Sequence, residues 1–155
     1  KTANLCMKTA HIFRLLEAWL WLPKLSKHSG CLFKTELNDE NAEFYFAKID
    51  EKIIGYLKLN FGQSQTELQD NKALEIERIY VLQEFHGKKV GQVLYEKALQ
   101  IAGQVNADYV WLGVWEENLR AIGFYKKNGF VEFDKHIFRL GEDDQTDIMM
   151  RLKMR

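Results

Sequence analysis

The chain has 155 residues, enough for one domain with a sizeable core. Its apolar fraction of 46% and charged fraction of 28% are ordinary for a globular chain, and no apolar run approaches membrane-spanning length. Lysine plus arginine and aspartate plus glutamate number 22 each, so the net charge is zero, which argues against wholesale electrostatic binding to nucleic acid. The two cysteines, Cys6 and Cys31, form no C-x-x-C pair and no disulfide framework. With His11 and His28 they match no familiar zinc spacing, so no metal is expected, and a reducing, cytoplasmic setting is the default.

Residues 1–35 are the least legible. The apolar run Ile12–Leu22 reads as a helix that Pro23 ends. Arg14 and Glu17 interrupt it and no small-residue cleavage site follows, so a signal peptide is not expected. Its tryptophans, Trp19 and Trp21, fit a helix buried against the domain, a partner- or membrane-surface helix, or a homodimer contact. Glu43–Ile49 and Ile53–Phe61 read as the strands of a hairpin around a tight turn at Asp50-Glu51-Lys52. Gly62–Lys72 is a polar loop, of a length suited to an excursion near a site.

Leu74–Leu99 is the stretch the rest is organised around: a strand, a basic glycine-containing turn and a helix. On a regular strand Glu75, Glu77, Ile79 and Val81 share one face, and Leu74, Ile76, Arg78 and Tyr80 the other. Gln83–Lys89 turns the chain. From Val90 the spacing is helical, with Val90, Val93, Leu94, Ala98 and Ile101 on one stripe. The first N–H groups of such a helix lack intrahelical partners and attract anions. Lys88 and Lys89 add charge there, and Gly91 admits close approach to the backbone. A phosphate site and an ordinary turn with solvated lysines both fit. The turn is neither G-x-x-x-x-G-K-S/T nor G-x-G-x-x-G.

Gly103–Asp108 then turns the chain into the apolar strand Tyr109–Val114, which completes a βαβ unit with parallel strands and a right-handed crossover. Asn118 is placed to cap a helix over Leu119–Lys127, which Gly129 ends. Phe130–Phe133 is a strand, with His136–Leu140 as its possible continuation. Gly141–Asp147 is an acidic loop, and Ile148–Met154 is the last strand.

Two stretches resemble one known family, the GNAT N-acetyltransferases. Its acyl-CoA signature is a strand of the form R-I/L-Y-V followed by a turn R/Q-x-x-G-x-G/A. Arg78-Ile79-Tyr80-Val81 matches the strand. The turn is His86-Gly87-Lys88-Lys89-Val90-Gly91, with His86 where Arg or Gln is usual and Lys89 where the first glycine is usual. Further on, Asn118, Ala121, Phe124, Tyr125, Gly129 and Phe130 match N-x-x-A-x-x-F/L-Y-x-x-x-G-F at every position. The resemblance covers about Phe44–Met154. A narrower one, carried by LEIERIY, WLGVWEEN, AIGFYKKNGF and GEDDQTDIMM, is to the bacterial PaiA-type spermidine/spermine N-acetyltransferases.

The resemblance implies a single α/β (α+β) domain over 1–155 with a mixed central sheet: an antiparallel N-terminal hairpin, a parallel βαβ core and helices on both faces. It implies acetyl-CoA as co-substrate and direct attack by a primary amine, a small-molecule polyamine in the narrower resemblance. Cofactor-binding positions map to Ile79, Tyr80 and Val81 for the pantetheine arm, to His86, Gly87, Lys88, Lys89, Val90, Gly91 and Gln92 for the pyrophosphate, and to Asn118. Tyr125 takes the place of the general acid. A protonated amine must lose its proton before attack, which asks for a nearby carboxylate. Glu77 is the first candidate base and Glu75 the second, although either can instead be solvated or hold a substrate ammonium. Glu116, Glu117 and the Glu142-Asp143-Asp144 loop are further groups that can attract a polycation, with Trp111 or Trp115 as aromatic faces. Two other functions stay open on the sequence: a protein lysine or N-terminal acetyltransferase on the same fold, and a CoA-binding regulatory module without turnover.

Overall fold

The computed structural model describes residues 36, 38–50, 52–140 and 143–154. The expected helix over Ile12–Leu22, both cysteines and the Trp19/Trp21 segment lie outside them. The described residues form a six-stranded sheet in the order β1-β2-β3-β4-β6-β5. The strands are β1 (Ala42–Ile49), β2 (Lys52–Phe61), β3 (Ala73–Val81), β4 (Tyr109–Trp115), β5 (Val131–Leu140) and β6 (Asp143–Lys153). Helix α1 (Val90–Gln104) crosses from β3 to β4, and α2 (Leu119–Lys127) follows β4. The sheet is mixed, as expected: β3 and β4 are parallel, and every other neighbouring pair is antiparallel.

The β1–β2 hairpin turns at Asp50, whose φ of 53° lies in the left-handed region that aspartate tolerates. Of the described residues, α1 and α2 pack on one face of the sheet. Leu94, Ala98 and Ala102 of α1, with Ile122 and Tyr125 of α2, meet Leu57, Leu59, Leu74, Ile76, Val110 and Leu112 in the main core cluster. The opposite face carries two smaller clusters: Phe44, Phe46, Ile53 and Tyr56, and then Ala73, Trp111 and Met149.

Three departures from simple strand patterning matter. The alternation expected for β3 breaks at Glu77. Opposite it, Lys58 pairs with Arg78 but Leu59 pairs with Ile76, so Glu77 is the extra residue of a bulge. Leu74 and Ile76 therefore share the helix face with Ile79 and Val81, which pack against the main core cluster. Glu75 does not lie with Ile79 and Val81 as a regular strand would have it.

Of the stretch 141–147 expected as an acidic loop, the described residues 143–147 are strand. β6 begins at Asp143, and Leu140 pairs with Asp143, Ile137 with Thr146 and His136 with Asp147. A hairpin at a sheet edge holds its residues by backbone pairing and needs no apolar alternation. Finally, β5 runs unbroken through Val131–Leu140, with a register shift between Glu132 and Asp134 that accounts for the lost alternation.

Candidate active site

β3 and β4 pair through only Ala73–Tyr109, Leu74–Val110 and Glu75–Trp111. Beyond that the strands separate. A bulge bends and overtwists its strand, and the one at Glu77 sits where β3 leaves β4. The edge of β3 facing β4 is thus unpaired from Ile76 to Val81. Two cavities lie along this stretch, and Ile79 lines both.

The first, of about 370 Å³, lies over the turn and is lined by Ile79, Val81, Phe85, His86, Gly87, Lys89, Val90, Gly91 and Arg120. α1 closes its first turn with the Val93 N–H donating to the Lys89 carbonyl at 3.1 Å. The N–H groups of Val90, Gly91 and Gln92 therefore have no partner within the helix. Lys89, at the position where the family pattern has glycine, adopts φ 63° and ψ 10°. Gly87 also has positive φ, at 76°. The loop thus takes the glycine-type path despite its lysine. Two of the residues expected at the turn send their side chains elsewhere. Lys88 lies 4.8 Å over the Phe85 ring, and Gln92 bonds Glu96 at 3.1 Å and Asn128 at 3.4 Å.

A left-handed lysine costs about 1 kcal/mol, and glycine would relieve it while adding a similar entropy to the unfolded chain. Lys89→Gly is therefore expected to leave Tm within about 4 °C of the parent. It should weaken CoA binding several-fold at low salt, with the loss shrinking as salt is added. Titration calorimetry at two ionic strengths checks this; equal affinity at both would show that Lys89 supplies only backbone shape.

The second cavity, of about 300 Å³, is lined by Tyr56, Glu77, Arg78, Tyr80, Gly113, Trp115, Asn118 and Tyr125 among others. Tyr80 stacks on Tyr56 with ring centroids 5.9 Å apart. Asn118 is both a helix cap and part of this wall. Its Oδ1 accepts from the Ala121 N–H at 3.1 Å, which leaves its Nδ2 hydrogens for a ligand. Tyr125 is 9% exposed, wedged against Phe124 and Phe130 at 5.3 and 5.5 Å. Burial pushes its phenol up to about 12, so it carries its proton at neutral pH.

The two strand carboxylates differ sharply. Glu77 lines the cavity but is clamped: Lys58 Nζ lies 2.5 Å away, Arg78 NH2 2.6 Å and Asn60 Nδ2 2.6 Å. Glu36 completes an alternating chain of charge, 3.2 Å from Lys58 and 2.9 Å from Arg78. Burial alone would raise the Glu36 carboxyl, but the Arg78 and Lys58 contacts outweigh it and hold it below its ordinary value. Glu75 is 2% exposed, and among the described residues no ion pair reaches it. It accepts from Asn60 Nδ2 and the Thr66 N–H, both at 2.9 Å, and from the Thr66 hydroxyl at 2.5 Å. Burial raises its carboxyl above the ordinary range despite those bonds, and the Glu77 charge adds to the effect. Asn60 thus ties both carboxylates together through one amide nitrogen.

Lys58, Asn60, Thr66 and Arg120 are site residues that sequence patterning misses. Lys58 and Asn60 sit on a regular strand, Thr66 in a loop without a period, and Arg120 in the first turn of a helix. Trp111 and Trp115 separate: Trp111 is buried with its Nε1 donating to Gln65 at 2.6 Å, and Trp115 lines the cavity. Asp147 also borders this end. It pairs across the strands with Trp115, its Oδ2 lies 3.6 Å from where a Cβ on Gly113 would be, and burial raises its carboxyl. Among the described residues no group of three or more His, Cys, Asp or Glu could hold a metal, and no helix is long and apolar enough to cross a membrane.

The family model "Acetyltransferase (GNAT) family" matches residues 12–130, reaching back into the segment that the sequence patterning left unexplained. An uncharacterized N-acetyltransferase of Lactobacillus delbrueckii subsp. lactis is 40% identical over 116 residues, 75% of this chain and 67% of that protein. An N-alpha-acetyltransferase of Sulfurisphaera tokodaii is 30% identical over 118 residues, 72% of this chain and 71% of that protein. Among solved structures, a Bacillus anthracis protein assigned as a streptothricin acetyltransferase, in complex with acetyl coenzyme A, superposes with a TM-score of 0.66. It is 25% identical, over 79% of this chain and 68% of that one. Its bound acetyl-CoA agrees with a groove here that has an unpaired strand edge at one end and free helix N–H groups at the other. The chain belongs to the GNAT acetyltransferase family and is an acetyl-CoA-dependent N-acetyltransferase.

Proposed function

We propose that this enzyme acetylates a small polycationic amine, of the class of spermidine and spermine. The observation that carries the reading is the division of charge along the groove. The turn end presents Lys89, Arg120 and the free N–H groups of α1. At the splayed end Glu77 lines the second cavity, Glu75 joins it through Asn60, and Asp147 lies beside Gly113; Glu36 and Glu77 match Lys58 and Arg78, which leaves Glu75 and Asp147 as the surplus carboxylates. Glu67 adds a further carboxylate, 3.2 Å from His136 Nδ1. A polycation is attracted to one end and repelled from the other, which orients it toward the junction of the cavities.

Acetyl-CoA supplies the acyl group as a thioester, so an amine attacking the carbonyl carbon forms the C–N bond as the C–S bond breaks. The β4-facing edge of Ile79, Tyr80 and Val81, where the Val81 carbonyl is already taken by the His86 ring, holds the pantetheine arm as an added strand would be held. The turn Gly87–Gln92 receives the phosphates, and the Asn118 Nδ2 donates to the arm. Glu77, on the cavity wall, orients the incoming ammonium. The Glu77 carboxylate is occupied by Lys58, Arg78 and Asn60, whereas burial raises the Glu75 carboxyl. Glu75 therefore takes the amine proton, through water, as the base. The Tyr125 hydroxyl donates a hydrogen bond to the departing sulfur. A cytoplasmic setting goes with this reading.

The test is thiol release from acetyl-CoA with spermidine, spermine, simple monoamines and a peptide with a free N-terminus. Saturating release with the polyamines at lower KM than with monoamines is expected. Preference for the peptide would replace this acceptor by a protein N-terminus, the second reading, which the Sulfurisphaera tokodaii relative favours.

A further inference from the structure

Arg120 comes from α2, yet it lines the cavity over the turn together with Gly87, Lys89 and Gly91. Its NH1 lies 3.1 Å from His86 Nδ1. Arginine only donates, so Nδ1 is the acceptor and His86 is the neutral tautomer with its proton on Nε2. That Nε2–H in turn donates to the Val81 carbonyl at 2.9 Å. The imidazole thus bridges the last carbonyl of β3 and the guanidinium of α2. Among the described residues no ion pair joins Arg120 to a carboxylate. One N–H of the guanidinium is occupied, and the rest of its fork is left for a planar two-point contact with an oxyanion.

We infer that Arg120 is a phosphate-binding residue for coenzyme A, and that His86 is the positioning residue that aims it. The turn carries histidine where the family pattern has Arg or Gln; the missing donor is supplied from the neighbouring helix. This inference rests on reading the groove over the turn as the site of the coenzyme's phosphates, and it is independent of which amine is acetylated.

The experiment is titration calorimetry of CoA, 3′-dephospho-CoA and pantetheine against the intact chain and the variants Arg120→Gln, His86→Phe and the double variant. Arg120→Gln is expected to weaken CoA about tenfold, the loss of a charge-assisted hydrogen bond, and to leave pantetheine unchanged. His86→Phe should produce a smaller loss of the same kind. The double variant should be no weaker than Arg120→Gln alone, because His86 acts through Arg120. A tenfold loss that persists with dephospho-CoA assigns the contact to the pyrophosphate, and one that disappears assigns it to the 3′-phosphate. Arg120→Gln binding CoA like the parent, or losing CoA and pantetheine equally, overturns the inference, and additive losses in the double variant overturn the role of His86. If the parent binds CoA no tighter than pantetheine, it is the reading of the turn that fails instead.

Discussion

Tyr125→Phe is expected to lower turnover about a hundredfold, in the range of a lost general acid, while CoA affinity stays within about twofold. The variant keeps the ring that packs on Phe124 and Phe130 and removes only the hydroxyl. Its effect on stability should be small, since the ring stays in the core and no hydrogen bond of the hydroxyl is found among the described residues. Burial has pushed this phenol up to about 12. At neutral pH it carries its proton; a thiol's ordinary pKa of about 8.5 lies below that of the phenol, so the hydroxyl works by hydrogen-bonding the charge that develops on sulfur rather than by a downhill proton transfer. Single-turnover thiol release with saturating acetyl-CoA is the measurement. Equal rates for the two proteins would remove Tyr125 from the chemistry and leave it a core residue.

Glu75→Gln should have an effect of similar size on turnover, about a hundredfold, by a different signature. A base works deprotonated, so kcat/KM for the amine should rise with pH through the native pKa of Glu75. Burial holds that pKa above the ordinary glutamate value, so the acid limb should sit higher than a solvated carboxylate would put it. In Glu75→Gln the limb should disappear. Because Asn60 links Glu75 to Glu77, the two variants are read side by side. Glu77→Gln should keep the limb and raise the KM for the amine. A limb that survives in Glu75→Gln and vanishes in Glu77→Gln would exchange the two roles.

Stability gives an independent reading of the same carboxyl. A folded-state pKa raised above the unfolded value means that the native state binds the proton more tightly. Its contribution to stability is full below the unfolded pKa and is lost as pH rises through the native one. Glutamine mimics the protonated form and can still accept from Thr66 N–H and Asn60 while donating to the Thr66 oxygen. The variant should therefore be at least as stable as the parent at neutral pH, and its stability should decline less over that window.

Local chemistry was legible in the sequence. The 3.6-residue stripe of α1, the Asn118 cap, the β1–β2 hairpin and the βαβ crossover each depend on residues close in the chain, whose spacing records their periodicity. That Asn118 caps α2 and Tyr125 lies within it could be read from a motif confined to one short helix and its flanks. Patterning failed where pairing rather than burial holds a segment. The polar run 143–147 lacks apolar alternation, yet backbone pairing with β5 makes it strand.

What tertiary structure decided is the content of the site. Nothing in the alternation of Leu74–Val81 reveals that Glu77 is an extra residue, because a bulge is a relation between two strands. That relation separates Glu75 from the Ile79/Val81 face and helps part β3 from β4. Which carboxylate carries a cation from another strand was likewise settled by partners distant in sequence: Lys58 and Asn60 for Glu77, and Thr66 and Asn60 for Glu75. Arg120 reaches the turn 34 positions from His86 only because α2 follows a strand parallel to β3. Periodicity encodes which face a residue takes on its own element; charge state and site membership depend on contacts between elements, and these leave no period to read.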